Sequence, residues 1–359
     1  MALPSWVPIR EDLRDVEPYG APQLPKLIML NVNENPRSPS PQVAEDLARA
    51  VRDVAGGLNR YPDREATELR AALARYLGGG LTADQIWAAN GSNEVMLQIL
   101  QAFGGPGRTA LSFAPTYSMY PEYARDTHTR WVTGERAEDF SIDPDAAVAL
   151  IEREHPDVVL LASPNNPTGT ALPQSTVRAI VEAAPGIVVV DEAYAEFRRP
   201  ETPSALELLP RHRRLLVTRT MSKAFAFAGG RLGYAAADPA VIDALRIVRL
   251  PYHLSAVAQA VATAALGHAD ELLAGVAALR ATRDELAAWL RGHGYEVADS
   301  DANFVLFGRF ADRHAVWQGL VDHGVLIRET GPDGWLRVSV GTPEEMDAFY
   351  TALMEVDPR

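Results

Sequence analysis

Leu215-Leu216-Val217-Thr218-Arg219-Thr220-Met221-Ser222-Lys223-Ala224-Phe225-Ala226-Phe227-Ala228-Gly229-Gly230-Arg231 begins as an apolar run and ends in hydroxyls, a lysine and an arginine. Leu215 to Thr218 is apolar on both faces, as a strand buried inside a parallel sheet is. Two runs of the same kind precede it, Val158-Val159-Leu160-Leu161-Ala162 and Ile187-Val188-Val189-Val190. Each gives way at once to polar residues, and helical stretches alternate with such runs from about 41 to 250. That alternation predicts a doubly wound α/β sheet, whose ligands gather beyond the carboxyl ends of the strands. Of the 34 basic side chains only Lys26 and Lys223 are lysines. Lys26, in Pro25-Lys26-Leu27, reads as a solvated side chain. For Lys223, arginine would serve solubility or ion pairing equally well. What arginine cannot supply is a neutral amine, as a base or as a Schiff-base nucleophile. The segment therefore points to amine–carbonyl chemistry.

The other two runs also end in polar clusters, Ser163-Pro164-Asn165-Asn166-Pro167-Thr168-Gly169 and Asp191-Glu192-Ala193-Tyr194. A carboxylate directly after four apolar residues is costly to bury unless it is paired. A cationic pyridine ring is one such partner; a helix cap is the plainer use of the same residue. Ala89-Asn90-Gly91-Ser92-Asn93-Glu94 precedes the apolar helix Val95 to Leu100, and Ser92 or Asn93 is expected to cap it. Its free N–H groups would then face an anion. Taken alone, Tyr117 would be ordinary core packing and Asn166 a turn former before Pro167. Together the residues supply an amine, a carboxylate, a phenol, a carboxamide and an anion cradle, with Thr220, Ser222 and Arg231 as further anion ligands. Pyridoxal 5'-phosphate (PLP) needs that inventory.

At this point the chain resembles the class-II, fold-type-I PLP aminotransferases, through Thr220 to Ala226, Asn165-Asn166-Pro167-Thr168-Gly169 and Asp191-Glu192-Ala193-Tyr194. Asn31-Val32-Asn33-Glu34-Asn35-Pro36, Asn59-Arg60-Tyr61-Pro62-Asp63 and Pro115-Thr116-Tyr117-Ser118-Met119-Tyr120 extend the resemblance over almost the whole chain. With Glu17-Pro18-Tyr19 and Leu336-Arg337-Val338 they look like the histidinol-phosphate aminotransferase branch. The resemblance implies a fold-type-I PLP transferase, with a large domain of mainly parallel sheet flanked by helices and a small α+β domain. It implies that Lys223 holds PLP as a Schiff base and shuttles a proton once substrate displaces it. Asp191 would pair with the pyridine N–H, Tyr194 and Asn166 would bond the ring's phenolic oxygen, and Tyr117 would lie against the ring face. Ser92, Asn93, Thr220, Ser222 and Arg231 would hold the phosphate. Tyr61 would reach the phosphate of the neighbouring subunit's cofactor, which requires a homodimer with shared active sites.

Composition narrows the alternatives. The net charge of -13 works against nucleic acid or anionic lipid as a bulk partner. There is no cysteine, so no disulfide frame or thiolate metal site, and the eight histidines show no ligand spacing, so no metal is expected. The start has neither the basic nor the apolar part of a signal peptide, and no apolar stretch is long enough for a membrane span. A cytoplasmic enzyme is expected. The Arg198-Arg199 and Arg211 to Arg214 runs read as solvated loop charges. A proline-rich arm (1–40), a large PLP-binding domain (41–252) and a small C-terminal domain (253–359) are expected. In the last, an amphipathic helix through Leu272, Leu273, Val276, Leu279, Leu286 and Leu290 should precede strand-like segments at 303–307, 324–327 and 335–340. Helices are expected there at about 312–323 and 343–354.

The favoured reaction is amino transfer between L-histidinol phosphate and 2-oxoglutarate. Arg337 is the expected anchor for both substrates' anions, because a guanidinium fork suits phosphate and carboxylate alike. Arg328 and Tyr19 are expected as further phosphate ligands, with Asn33 near the reacting end. The same motifs would serve a phenylalanine-type aromatic aminotransferase, and more distantly a phosphothreonine decarboxylase. A PLP-sensing regulator would need a DNA-binding module, for which the motifs leave no room.

Overall fold

The computed structural model describes Pro4 and residues 6–359; the expected start of the arm, at 1–3 and Ser5, lies outside the described residues. A short 3-10 turn at Glu11–Leu13 is followed by irregular chain, then by β1 (Ile28–Met29). Helix α1 (Pro41–Ala55) opens where the Ser40 side chain accepts from the Val43 N–H, with Pro41 in the first turn, where its missing donor costs nothing. Helix α2 (Thr67–Leu77) follows.

Seven strands then form the central sheet: β2 (Ile86–Ala89), β3 (Thr109–Ala114), β4 (Arg130–Glu135), β5 (Val158–Ala162), β6 (Ile187–Asp191), β7 (Leu215–Thr220) and β8 (Gly233–Ala237). Their order is β2-β8-β7-β6-β5-β3-β4. All neighbours run parallel except those of β8, which is antiparallel to β2 and β7. Between β7 and β8 there is no crossover helix, and a parallel return would need one. Helices α3 (Ser92–Phe103), α4 (Tyr120–Asp126), α5 (Pro144–Glu154) and α6 (Gln174–Ala183) fill the connections between earlier strands. The apolar strands are buried on both sides, as their sequence demands. Val159, Leu161, Val188, Val190 and Val217 belong to one core, and Val158, Leu160, Val189 and Leu216 to the opposite one. Each such side chain contributes roughly 1.5–3 kcal/mol by leaving water.

Helices α7 (Pro239–Val248) and α8 (Ala256–Gly267) come next, and α8 packs on α1 and α2. The expected helix from Leu272 onward is instead two pieces, α9 (Ala269–Leu273) and α10 (Val276–Gly292). The break falls at Gly275, which has low helix propensity and at which a Cβ would sit 3.0 Å from Arg37 Cδ. The second sheet joins β9 (Glu296–Val297), β10 (Phe304–Gly308), β12 (Arg328–Glu329) and β13 (Leu336–Ser339) in antiparallel pairs, while β11 (Val325–Leu326) pairs in parallel with β1. The expected segment 324–327 is thus only a two-residue strand, serving the arm's strand. Helices α11 (Arg313–Asp322) and α12 (Pro343–Val356) complete a core of Leu286, Leu290, Phe307, Leu336 and Phe349.

Candidate active site

Three strand ends make the floor. Ala162 on β5 is in register with Asp191 on β6, and Asp191 with Thr218 on β7. Asp191 is buried, and its carboxylate accepts from Tyr120 Oη at 3.0 Å and Thr218 Oγ1 at 3.1 Å. Burial pushes its pKa up to about 6, against the pull of those two donors. No cation pairs with it among the described residues. Above its sequence neighbour, Tyr194 Oη accepts from Asn33 Nδ2 at 2.9 Å, and its ring meets Phe304 edge-on. Asn33 is itself fixed by Ser339 Oγ, which lies 2.9 Å from both its N–H and its Oδ1.

Beyond β7 the chain turns, and Lys223 points back into the cavity, donating from Nζ to the Val32 carbonyl at 2.8 Å. Burial, then the nearby Arg337 charge, lowers its pKa to about 8. A usable share of the amine is therefore neutral near neutrality. Thr220 Oγ1 lies 3.0 Å from Ser222 Oγ, and Arg231 Nη1 approaches the latter at 3.4 Å.

Sequence expectation needs one correction at the anion cradle. Neither Ser92 nor Asn93 caps α3; Gly91 does, and no side chain accepts from the first turn. The reason is local crowding: Gly91 has φ +84, and a Cβ there would sit 2.3 Å from Arg231 Nη2. A Cβ at Gly233 would likewise lie 2.1 Å from the Ser92 nitrogen. Bare backbone at both points lets the α3 N-terminus, Arg231 and the end of β7 converge. Ser92 and Asn93 then occupy the first two helical positions, where N–H groups have no intrahelical acceptor.

The opposite wall comes from the second sheet. Arg337 on β13 stands directly across from Arg328 on β12. Arg337 is buried, donates to Asn166 Oδ1 and to the Asn31 carbonyl (2.7 Å), and lies over the Phe304 ring at 5.0 Å. Its Nε has no partner. Burial, aided by the Arg328 charge, lowers its pKa to about 10. Arg328 donates to the Gly20 carbonyl at 3.3 Å, and Tyr19 Oη accepts from Ser118 Oγ at 3.2 Å. Tyr117 donates to Asn93 Oδ1 at 3.3 Å.

A cavity of about 270 Å³ runs between these walls. Every sequence-predicted site residue lines it save Tyr61. Tyr61 is 79% exposed and stacks on Tyr252 with ring centroids 4.4 Å apart. Sequence reasoning assigned no role to Tyr120, Thr218, Asn31, the Val32 carbonyl, Ser118 or Thr330. Thr218 carried a signal: it is the polar end of an apolar run, level with Asp191 in the sheet. Among the described residues no group of histidines and carboxylates could hold a metal.

Asp191 makes a prediction for the apoprotein. Its folded pKa is raised above the ordinary 3.8, so the folded state holds the proton more tightly than the unfolded one. Its stabilisation is therefore complete below about pH 4 and lost as pH rises to about 6. Relative to Asp191→Asn, apoprotein stability should fall over that window by a few kcal/mol, on the order of 1.4 per pKa unit. Parallel denaturant titrations at pH 4.5 and 7.5 would measure this; a constant difference would contradict it.

An amine able to be neutral, an unpaired buried carboxylate and a phosphate-sized cradle at a helix N-terminus, all at the strand ends of a seven-stranded mixed sheet, suit one cofactor. The carboxylate lacks a cation and the cradle has N–H groups to spare, so the residues fit PLP. Fold and site together define a PLP-dependent transferase of fold type I. Residues 25–353 match the family described as aminotransferase class I and II, and the chain belongs to that family. It is 65% identical to the histidinol-phosphate aminotransferase of Thermobifida fusca, over 98% of this chain and 96% of that protein. It is 60% identical to histidinol-phosphate aminotransferase 3 of Burkholderia lata, again over 98% and 96%. The crystal structure of the Sinorhizobium meliloti histidinol-phosphate aminotransferase in complex with PLP superposes with TM-score 0.81, at 28% identity, covering 91% of this chain and 90% of that one.

Proposed function

We propose that the chain transfers the amino group of L-histidinol phosphate to 2-oxoglutarate, giving imidazole acetol phosphate and glutamate, as a step of histidine biosynthesis in the cytoplasm. The observation that carries this reading is the Arg328–Arg337 pair. Like charges directly opposite on neighbouring strands destabilise a sheet. Here neither guanidinium has a carboxylate partner among the described residues, and both open on the cavity that holds Lys223. The cavity therefore has two anion sites, the α3 cradle for the cofactor's phosphate and the arginine pair for the substrate's. The test is glutamate formation from 2-oxoglutarate with L-histidinol phosphate as sole amino donor. Turnover supports the reading; none with PLP-loaded protein refutes it.

Bound PLP supplies the carbonyl that takes up the amino group and the ring that accepts the electrons released at the substrate carbon. Ser92, Asn93, Thr220, Ser222 and Arg231 hold its phosphate. Asp191, held by Tyr120 and Thr218, pairs with the ring nitrogen and keeps it protonated. That pairing removes the apoprotein's burial penalty, so the pH-dependent loss described for Asp191 disappears on loading. Arg337 donates to Asn166 Oδ1, which leaves the carboxamide N–H₂ free, and with Tyr194 it would bond the cofactor's phenolic oxygen. Tyr117, which lines the cavity, would lie against the ring face. Lys223 would move the proton at Nζ: the neutral amine takes it from the substrate carbon bearing the amino group and passes it to the cofactor carbon that receives the nitrogen, and the second half-reaction runs the same transfer in reverse. Arg337 anchors phosphate or carboxylate; Arg328 and Tyr19 bind the substrate phosphate. Asn33 orients Tyr194 near the reacting end. The described residues of the arm, with β9 to β13 and α10 to α12, form the substrate-covering unit; α8, which packs on α1 and α2, belongs with the cofactor-binding unit of 41–252.

The working assembly is a homodimer in which Tyr61 donates to the phosphate of the partner subunit's cofactor. Its exposure and its absence from the lining of its own chain's cavity support this. Mixing Lys223→Ala with Tyr61→Phe chains should create heterodimers with one doubly damaged site and one intact site. Recovery of about half the wild-type activity per heterodimer, above the sum of the parents, is expected. No gain, with exchange verified, would place Tyr61 within its own chain's chemistry.

A further inference from the structure

Exposed apolar side chains gather on one lobe, where Leu58, Tyr61, Ile247, Leu250 and Tyr252 all face outward. Two segments far apart in sequence build it, 58–65 and 247–254, and polar contacts tie them together. Arg249 donates to the Arg64 carbonyl at 2.6 Å and to Glu65 at 2.5 Å. Gln259 Nε2 bridges the Asp63 and Leu254 carbonyls at 2.9 and 3.0 Å. On its inner side the lobe is fastened to β2. The His253 ring stacks on Trp87 at 5.5 Å, and its Nε2 lies 2.9 Å from the Ala88 carbonyl.

Asn90 is the last link. Its carboxamide nitrogen donates to the His253 carbonyl at 2.9 Å and to Glu94 Oε2 at 2.8 Å, one bond for each of its two hydrogens. Its backbone N–H also donates to Glu94 Oε2, at 2.5 Å. Asn90 immediately precedes Gly91, the N-cap of α3, so its placement sets where the Ser92 and Asn93 N–H groups point. The lobe end of this link carries a backbone cost: Tyr252 holds φ +59, a region costly for a non-glycine residue.

We propose that Asn90 is a positioning residue that couples the face docking a second copy of this chain to the phosphate cradle of the same chain. An anion at the α3 N-terminus fixes Asn90, Asn90 fixes the 252–254 turn, and that turn presents the apolar lobe. Whichever event orders the link first leaves less ordering cost for the other, and by linkage the effect is reciprocal. The inference rests on the homodimer reading and adds to it a route lying wholly inside one chain.

The test uses the Tyr61→Phe background, which removes the direct contact across the interface. Dimer dissociation constants of the apoprotein are measured by sedimentation velocity alone, with PLP, and with pyridoxal, which lacks the phosphate. PLP should tighten association about fivefold, the scale of one hydrogen bond, and pyridoxal by less than about 1.5-fold. Adding Asn90→Ala should erase the PLP effect. Asn90→Ser, which can make one of the two bonds but not both, should weaken it and serves if the alanine variant does not fold. Equal tightening with and without the Asn90 carboxamide, or by pyridoxal as by PLP, would overturn the inference. A dimer whose constant ignores PLP overturns the inference alone. A chain that stays monomeric at every concentration overturns the homodimer reading and the inference with it.

Discussion

Lys223→Arg is expected to fold as the wild type does and to lose transamination roughly ten-thousandfold, through loss of both nucleophile and proton carrier. The cavity of about 270 Å³ leaves room for a guanidinium, and the Val32 carbonyl can still accept from it. What goes is the neutral amine: burial and the Arg337 charge bring the lysine to about 8, whereas arginine stays protonated under all working conditions. Borohydride reduction of the wild type followed by peptide mapping should place the pyridoxyl group on Lys223. Finding it on Lys26 would remove the basis for every role assigned above.

The second large effect is expected at Arg337. Charge-assisted bonds of this kind are worth about 1.5–3 kcal/mol each, or about 10- to 150-fold in kcat/KM. Arg337→Ala should therefore impair both half-reactions, because one guanidinium serves the phosphate of one substrate and the carboxylate of the other. It also frees Asn166 from its bond to Arg337, adding to the loss. Arg328→Ala should mainly weaken the histidinol-phosphate half-reaction. Single-turnover rates separate the two cases. Rates within about twofold of wild type in both half-reactions of Arg337→Ala would move the anchor elsewhere. Apoprotein melting separates loss of fold from loss of the anchor: the Arg337 charge is buried with no carboxylate partner among the described residues, so Arg337→Met should not lower the melting temperature.

Much of this was legible in sequence because it depends on local chemistry. Strands at 158–162, 187–191 and 215–220 open with unbroken runs of Val, Leu and Ile, and the polar residues that follow name the floor of the site. Strands β2 and β8 were not legible. Ile86-Trp87-Ala88-Ala89 and Gly233-Tyr234-Ala235-Ala236-Ala237 are rich in alanine, which has little strand preference, and they exist because neighbouring strands and helices cover them. The Gly91 cap was hidden for a similar reason. Ser92 and Asn93 are better capping residues by type, but only the fold brings Arg231 against Gly91 and leaves no space for a side chain. Tyr120 stood in a recognisable motif, yet its bond to Asp191 spans 71 residues and needs the sheet to bring α4 over the end of β6.

The arginine pair shows the limit from the other side. Arg337 could be picked from its motif, while its position directly across from Arg328 is a matter of strand register, fixed by Leu336 and Val338 facing the core on either side. That register is what turns two unremarkable basic residues into an anion site, at a cost to the sheet that only a ligand offsets.

Substrate choice tests the role of the arginine pair most directly. With 2-oxoglutarate as acceptor, kcat/KM for L-histidinol phosphate should exceed that for L-phenylalanine by about 100-fold or more, the worth of one or two charge-assisted contacts to the phosphate. A chain that handled phenylalanine as well as histidinol phosphate, or better, would contradict the assignment of Arg328, Arg337 and Tyr19 to a substrate phosphate.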